Sequence, residues 1–173
     1  MRIALYQPDI PQNAGAIFRL AACLGIPVDV IEPCGFVLDD RRLRRVAMDY
    51  GGQAEIVRHA SWKKYTDSRA EADGRAETDG RAGGDVIGRI VLLTTSGATP
   101  YTDFTFEASD TLLLGRESAG VPDSVHTAAD ARLIVPMADG ARSLNVVTAT
   151  AMVLGEALRQ TGGFSELSEQ AGT

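Results

Sequence analysis

The chain has 173 residues, 45% of them hydrophobic, which suits one domain with a real core and is short for two. No apolar run approaches the roughly 20 residues that span a bilayer, and the N-terminus enters a strand pattern without a charged segment and apolar stretch before it. The expectation is a cytoplasmic, unprocessed protein without a membrane partner. A formal charge of −6 and a pI near 4.9 count against a nucleic-acid partner only as a sum. Arg41, Arg42, Arg44 and Arg45 crowd one short stretch, whereas Asp67, Glu71, Asp73, Glu77, Asp79 and Asp85 gather in another.

In chain order, Arg2 to Tyr6 reads as a buried strand and Gln7 to Gln12, with two prolines, as a loop. Asn13 has the character of an N-cap for a helix from about Ala14 to Leu24, with Ile17, Leu20, Ala21 and Leu24 on one apolar stripe and Gly25 as its stop. Pro27 to Glu32 is a second strand, Asp39 to Tyr50 a basic amphipathic helix, Gln53 to Arg58 a third strand, and Ser61 to about Thr66 the start of another helix. Ile90 to Thr95, Thr111 to Leu114 and Arg132 to Pro136 are further short apolar runs bounded by Gly, Pro or Asp. Strands alternating with helices predict an α/β fold, an open and mostly parallel sheet with helices on both faces.

Residues 67 to 88 break the pattern. Glu71 to Ala76 (EADGRA) is nearly repeated by Glu77 to Ala82 (ETDGRA), with no aliphatic residue larger than alanine until Val86. Too little apolar surface is available to offset ordering entropy, so a mobile surface insert is predicted, replaceable by a short linker. The domain then spans 1–163. Its last helix, Val146 to about Gln160, is apolar nearly all round and so is buried or shared with a partner; Gly162-Gly163 ends it, and 164–173 reads as a loose tail. Cys23 and Cys34 read as small buried hydrophobes, not a disulfide. His59 and His126 lack Cys or carboxylate at metal-ligand spacing, so surface or loop roles and no metal are expected, and Trp62 reads as a helix packing residue.

Three separated segments place glycine and polar residues where a core would not want them. They are Ile10 to Ala22 (IPQNAGAIFRLAA), Leu112 to Pro122 (LLLGRESAGVP) and Ile134 to Met152 (IVPMADGARSLNVVTATAM). In the second, a strand runs straight into Gly115 and Gly120, so a ligand can approach bare backbone beyond a strand's carboxyl end. In the third, Ser143 or Asn145 can cap the last helix, whose first amides also suit polar ligand groups.

The order and content of these segments resemble the three motifs of the SPOUT methyltransferases, RNA-methylating enzymes with a trefoil-knotted domain. The stretch Ile31 to Tyr50 is similar to the small single-domain branch that methylates ribose 2′-hydroxyls of tRNA at the wobble cytidine or uridine. The resemblance covers nearly the whole chain apart from the insert and tail. It implies S-adenosyl-L-methionine as cofactor, tRNA as substrate, a deep C-terminal knot and a homodimer with sites built across the subunit boundary. It places Leu93, Gly115, Glu117, Gly120, Val135 and Ser143 at the cofactor, and Asn13, Arg19, Ser143 and Asn145 in catalysis. Arg116 stands where relatives often have Pro, Ser or Asn, and with Arg41, Arg42, Arg44 and Arg45 it is a candidate for RNA phosphates.

The resemblance makes Arg19 a general base for the ribose hydroxyl, but a guanidinium keeps its proton to a pKa above about 12. Holding a phosphate and stabilising a developing alkoxide is the physically better role, with Asn13 capping the helix and orienting the arginine. The same chemistry on ribosomal RNA, or a non-catalytic RNA- or nucleotide-binding module, are the competing readings. Intact Asn13, Arg19, Glu117, Ser143 and Asn145 favour an enzyme.

Overall fold

The computed structural model describes residues 1–38, 55–78, 88–97, 99–165 and 167. Seven strands, β1 (Arg2–Tyr6), β2 (Val28–Ile31), β3 (Ile56–His59), β4 (Ile90–Leu93), β5 (Thr99–Pro100), β6 (Thr111–Leu114) and β7 (Ala131–Ile134), form one sheet in the order β3-β2-β1-β6-β4-β7-β5. Every pairing is parallel. The helices are α1 (Pro11–Cys23), α2 (Trp62–Thr78), α3 (Asp123–Ala128) and α4 (Val146–Thr161). α3 and the two-residue edge strand β5 are too short to leave a periodic signal.

Both faces of the sheet are covered, which is why its central strands are apolar at successive positions instead of alternating. Ile3 and Leu5 of β1, Leu112 and Leu114 of β6, and Val91 of β4 pack with Ile17, Phe18 and Ala21 of α1 and Val153, Leu154 and Ala157 of α4. Ala4, Tyr6, Leu92 and Leu113 face the other way, toward Tyr65 of α2 and Val125 of α3. Trp62 packs as expected of it, its ring 5.9 Å from that of Tyr6 and 5.4 Å from that of Tyr65. The six buried residues of α4 leave Thr148, Ala151 and Met152 exposed, so one flank of this apolar helix stays open.

Several expectations need correction. α1 begins at Pro11, with Ile10 in the N-cap position and no side-chain cap, because proline's fixed φ and missing N–H suit the first turn. Asn13 therefore lies inside the helix and does not cap it. Cys23 is exposed: the buried stripe runs through Ala14, Ile17, Phe18, Ala21 and Ala22, which turns position 23 outward. His59 is no surface residue but sits on β3 with Nε2 2.8 Å from Asp29 Oδ1, a carboxylate that also accepts from Arg2. The helix predicted to fade near Thr66 continues to Thr78, through the first part of the supposed insert.

A charged anchor explains that continuation better than apolar burial does. Arg69 donates to Tyr65 Oη (3.2 Å), to the fully buried Thr111 Oγ1 (2.9 Å) and to the carbonyl of Gly88, tying α2 to the starts of β6 and β4. A linker that replaces Ser68 onward would remove this anchor and should therefore destabilise the fold. Arg69→Ala leaves a buried hydroxyl and a carbonyl without their donor, and should cost about 1–3 kcal/mol in chemical denaturation. An unchanged denaturation midpoint would show that α2 does not depend on Arg69. Residues 79–87, the predicted helix Asp39 to Tyr50 and most of the predicted tail lie outside the described residues.

Candidate active site

A cleft of about 840 Å³ opens at the carboxyl ends of β4, β6 and β7. That size suits a small-molecule ligand, for which roughly 300–1,000 Å³ is usual, and the place is where parallel sheets bind nucleotides. β6 lies between β1 and β4, so the chain order reverses there and the loops after neighbouring strands diverge. Leu93 ends β4 and Thr94 follows it, Gly115 to Glu117 and Gly120 lie in the loop after β6, and Val135 to Asn145 follow β7; all of these line the cleft.

The loop after β6 is a closed turn. Arg116 N donates to Gly120 O at 2.9 Å and Gly120 N returns a bond to Arg116 O at 2.7 Å. Gly120 has φ +65°, which favours glycine. At Gly115 a Cβ would lie 2.8 Å from the carbonyl carbon of Gly120, so glycine is required there by the chain's own backbone and not only by a ligand.

Polar side chains join this loop to both neighbouring helices. Asn13 Nδ2 donates to Glu117 Oε1 at 3.1 Å, and Asn145 Nδ2 donates to Asn13 Oδ1 at 3.1 Å. Asn145 Oδ1 meanwhile accepts from Val147 N at 2.9 Å, so Asn145, and not Ser143, caps α4. Released from the capping role expected of it, Asn13 links α1, the β6 loop and α4. Before α1, Gln7 adopts φ +46° and turns Pro8-Asp9 back toward the loop, where the Asp9 carboxylate accepts from Glu117 N and the Ser118 hydroxyl.

The two carboxyl groups set each other's charge. Burial is the main cause that raises the Glu117 pKa, with Asp9 next, while the hydrogen bond from Glu117 and those from Ser118 hold Asp9 well below the usual carboxylate range. On acidification Glu117 therefore takes up a proton before Asp9 does. Arg116 Nε approaches Asp9 Oδ2 at 3.6 Å, an ion pair beyond hydrogen-bond length, and has no hydrogen-bond partner among the described residues.

Leu93, Gly115, Glu117, Gly120, Val135, Ser143, Asn13, Asn145 and Arg116 all line the cleft. Arg19 does not: it is exposed on α1 and is not one of the lining residues. Arg41, Arg42, Arg44 and Arg45 lie outside the described residues. Sequence reasoning passes over Asp9, which reads as an ordinary loop acid, and Arg142, which lines the cleft beside Ser143. Among the described residues no cluster of three or more metal-binding side chains occurs, and no described helix is long and apolar enough to cross a membrane.

Residues 1–155 match the SpoU rRNA Methylase family. The chain is 52% identical to a tRNA (cytidine(34)-2'-O)-methyltransferase of Ancylobacter novellus, over 95% of this chain and 96% of that protein. It is 33% identical to the protein of the same name from Escherichia coli K12, over 94% of each. A solved structure described as "Structural insights into the 2-OH methylation of C/U34 on tRNA" superposes with a TM-score of 0.75 at 32% identity, covering 92% of this chain and 94% of that one. The SpoU methyltransferase AviRb from Streptomyces viridochromogenes, in complex with AdoMet, also gives 0.75, at 29% identity over 92% of this chain and 60% of that one. With its open parallel sheet, its cleft at the strand ends and this breadth of match, the chain belongs to the SpoU methylase family.

Proposed function

We propose that the protein transfers a methyl group from S-adenosylmethionine to the ribose 2′-hydroxyl of tRNA, at the wobble cytidine or uridine, position 34. The carrying observation is the cleft whose polar bridge, Glu117–Asn13–Asn145, unites all three motifs in a chain 52% identical to an enzyme of that name. The lining suits the cofactor: apolar Leu93 and Val135 for a base, bare backbone at Gly115 and Gly120 for close approach, and polar Ser143 near the start of α4. When bound, the cofactor supplies an already electrophilic methyl group on a sulfonium, and its leaving group is neutral.

The chain's residues then have to exclude water, orient the ribose and bear the charge that grows on its oxygen. Asn13 and Asn145 hold the loop and the start of α4 in one arrangement, which favours in-line geometry. Arg19 fits the role of phosphate holder and alkoxide stabiliser rather than base, since it cannot give up its proton. Its place on α1 outside the cleft supports a site completed by a second copy of the chain. Exposed Ile10, Leu144 and Met152 supply apolar surface for such a homodimer. The trefoil knot, formed by the run between β7 and α4, and a cytoplasmic location belong to the same reading.

Purified protein incubated with labelled S-adenosylmethionine and total tRNA should place label on the 2′-oxygen of nucleotide 34. Label entering only ribosomal RNA would transfer the reading to that substrate, and no label in any RNA, with cofactor bound, would make this a binding module. Arg41, Arg42, Arg44, Arg45 and Arg116 are proposed to meet phosphates. Arg42→Ala with Arg45→Ala should flatten the salt dependence of tRNA binding by about 0.7–0.9 log units for each phosphate left without its arginine, with cofactor affinity unchanged. An identical slope would remove the 41–45 stretch from the RNA surface.

A further inference from the structure

We propose that Asp9 is a positioning residue of this site, the post on which the β6 loop is held in its cofactor-binding shape. The inference rests on the methyl-transfer reading and extends it to a residue outside the three motifs' glycine and asparagine positions.

Asp9 reaches every residue on the near side of the loop. Its carboxylate accepts from Glu117 N (3.2 Å), from Ser118 N (3.4 Å) and from the Ser118 hydroxyl, and pairs with Arg116 at 3.6 Å. Its own amide donates to Glu117 Oε2 at 3.3 Å, so the two segments clip each other reciprocally across more than a hundred residues of sequence. The other Glu117 oxygen accepts from Asn13. Asp9 therefore sets the position of the carboxyl group through which the loop is linked to α1 and α4.

The post itself cannot retreat. Behind it lies Gly35, where a Cβ would stand 2.7 Å from Asp9 Cβ, and Gly35 N donates to Pro8 O at 2.9 Å. Ahead of it, the loop is closed on itself by the Arg116–Gly120 pair. A rigid turn held at one end by β6 has few ways to move, and the bonds from Asp9 fix its free side. The negative charge of Asp9 adds strength, because bonds to an ionised acceptor are worth roughly twice neutral ones.

Asp9→Ala should weaken S-adenosylhomocysteine binding, measured by calorimetry well below the melting temperature, by about ten-fold or more. In turnover, KM for S-adenosylmethionine should rise by a similar factor while kcat at saturating cofactor and KM for tRNA stay within about three-fold. Asp9→Asn keeps one acceptor oxygen for the loop but loses the charge and the second acceptor, so it should recover part of the affinity. A residue that served only stability would lower the melting temperature without this split and without rescue. Equal affinity in wild type and a folded Asp9→Ala overturns the proposal, as does loss of kcat alone. Should Asp9→Ala fail to fold, Ser118→Ala, which deletes one bond to the post, must weaken S-adenosylhomocysteine about three-fold; unchanged affinity there also overturns it. Wild-type protein that does not bind S-adenosylhomocysteine would instead sink the methyl-transfer reading itself.

Discussion

Arg19→Ala should reduce methyl transfer to tRNA by two orders of magnitude or more while S-adenosylhomocysteine affinity stays within about two-fold. The size follows from removing a fixed cation beside a developing oxyanion, an effect typically worth about 10²–10³ in rate. The insensitivity of the cofactor follows from position, since Arg19 is exposed on α1 and is not one of the residues lining the cleft. Complementation sharpens the test. If the arginine of one subunit serves the cleft of the other, mixing Arg19→Ala with a cofactor-binding variant through refolding should restore about a quarter of wild-type activity, because half the dimers are mixed and each carries one complete site. Loss of cofactor affinity in Arg19→Ala would place the residue within the same subunit's cleft, and no recovery on mixing would contradict the shared site.

Gly115→Ala should be nearly as damaging as Gly115→Val, with S-adenosylhomocysteine affinity falling a hundred-fold or more in both. If the glycine existed only to admit a ligand, a single methyl would be a mild obstacle. The added carbon instead meets Gly120 backbone at 2.8 Å and 3.0 Å, and backbone on both sides has no side-chain rotamer with which to yield. The turn must open, and with it the Arg116–Gly120 bonds and the attachment of Glu117 to Asn13. Circular dichroism and calorimetry on the two variants check this. A Gly115→Ala protein that binds cofactor normally would show that the turn relaxes without cost and that ligand approach alone requires the glycine.

Much of this is legible in the sequence because parallel α/β proteins write their core plainly. Runs such as Ile90 to Leu93 and Thr111 to Leu114 are apolar at consecutive positions since both sheet faces are covered, and the expected strands have counterparts whose ends fall within a residue or two, except that β3 begins at Ile56 where Gln53 is expected. The glycines of the β6 loop and the asparagine at the start of α4 also stand out, for they do local backbone work that residue type reveals. What does not show is anything depending on partners distant in sequence. Asn13 reads as a cap because asparagine before an apolar stripe usually is one; only the folded chain brings Glu117 and Asn145 to it. Arg69 reads as one more charge in a polar repeat, and nothing nearby in sequence announces Thr111 or Gly88 as its acceptors. Asp9 is invisible for the same reason.

The parallel sheet also separates tasks between its two rims. Every strand points the same way, so the rim where strands begin carries Arg69 on Thr111, the bidentate pair of Arg89 with buried Asp110 at 2.9 and 2.8 Å, and Arg2 on Asp29. The rim where they end carries the cleft. Among the described residues, none of these pairs shares a hydrogen-bonding partner with the cleft's Asn13, Glu117 or Asn145, and distant, independent sites combine additively in free energy. Strengthening the first rim is thus a way to raise the tolerance of this protein to heat or to later substitutions without altering turnover, and a screen for improved catalysis can begin from such a background with the cleft's chemistry unchanged.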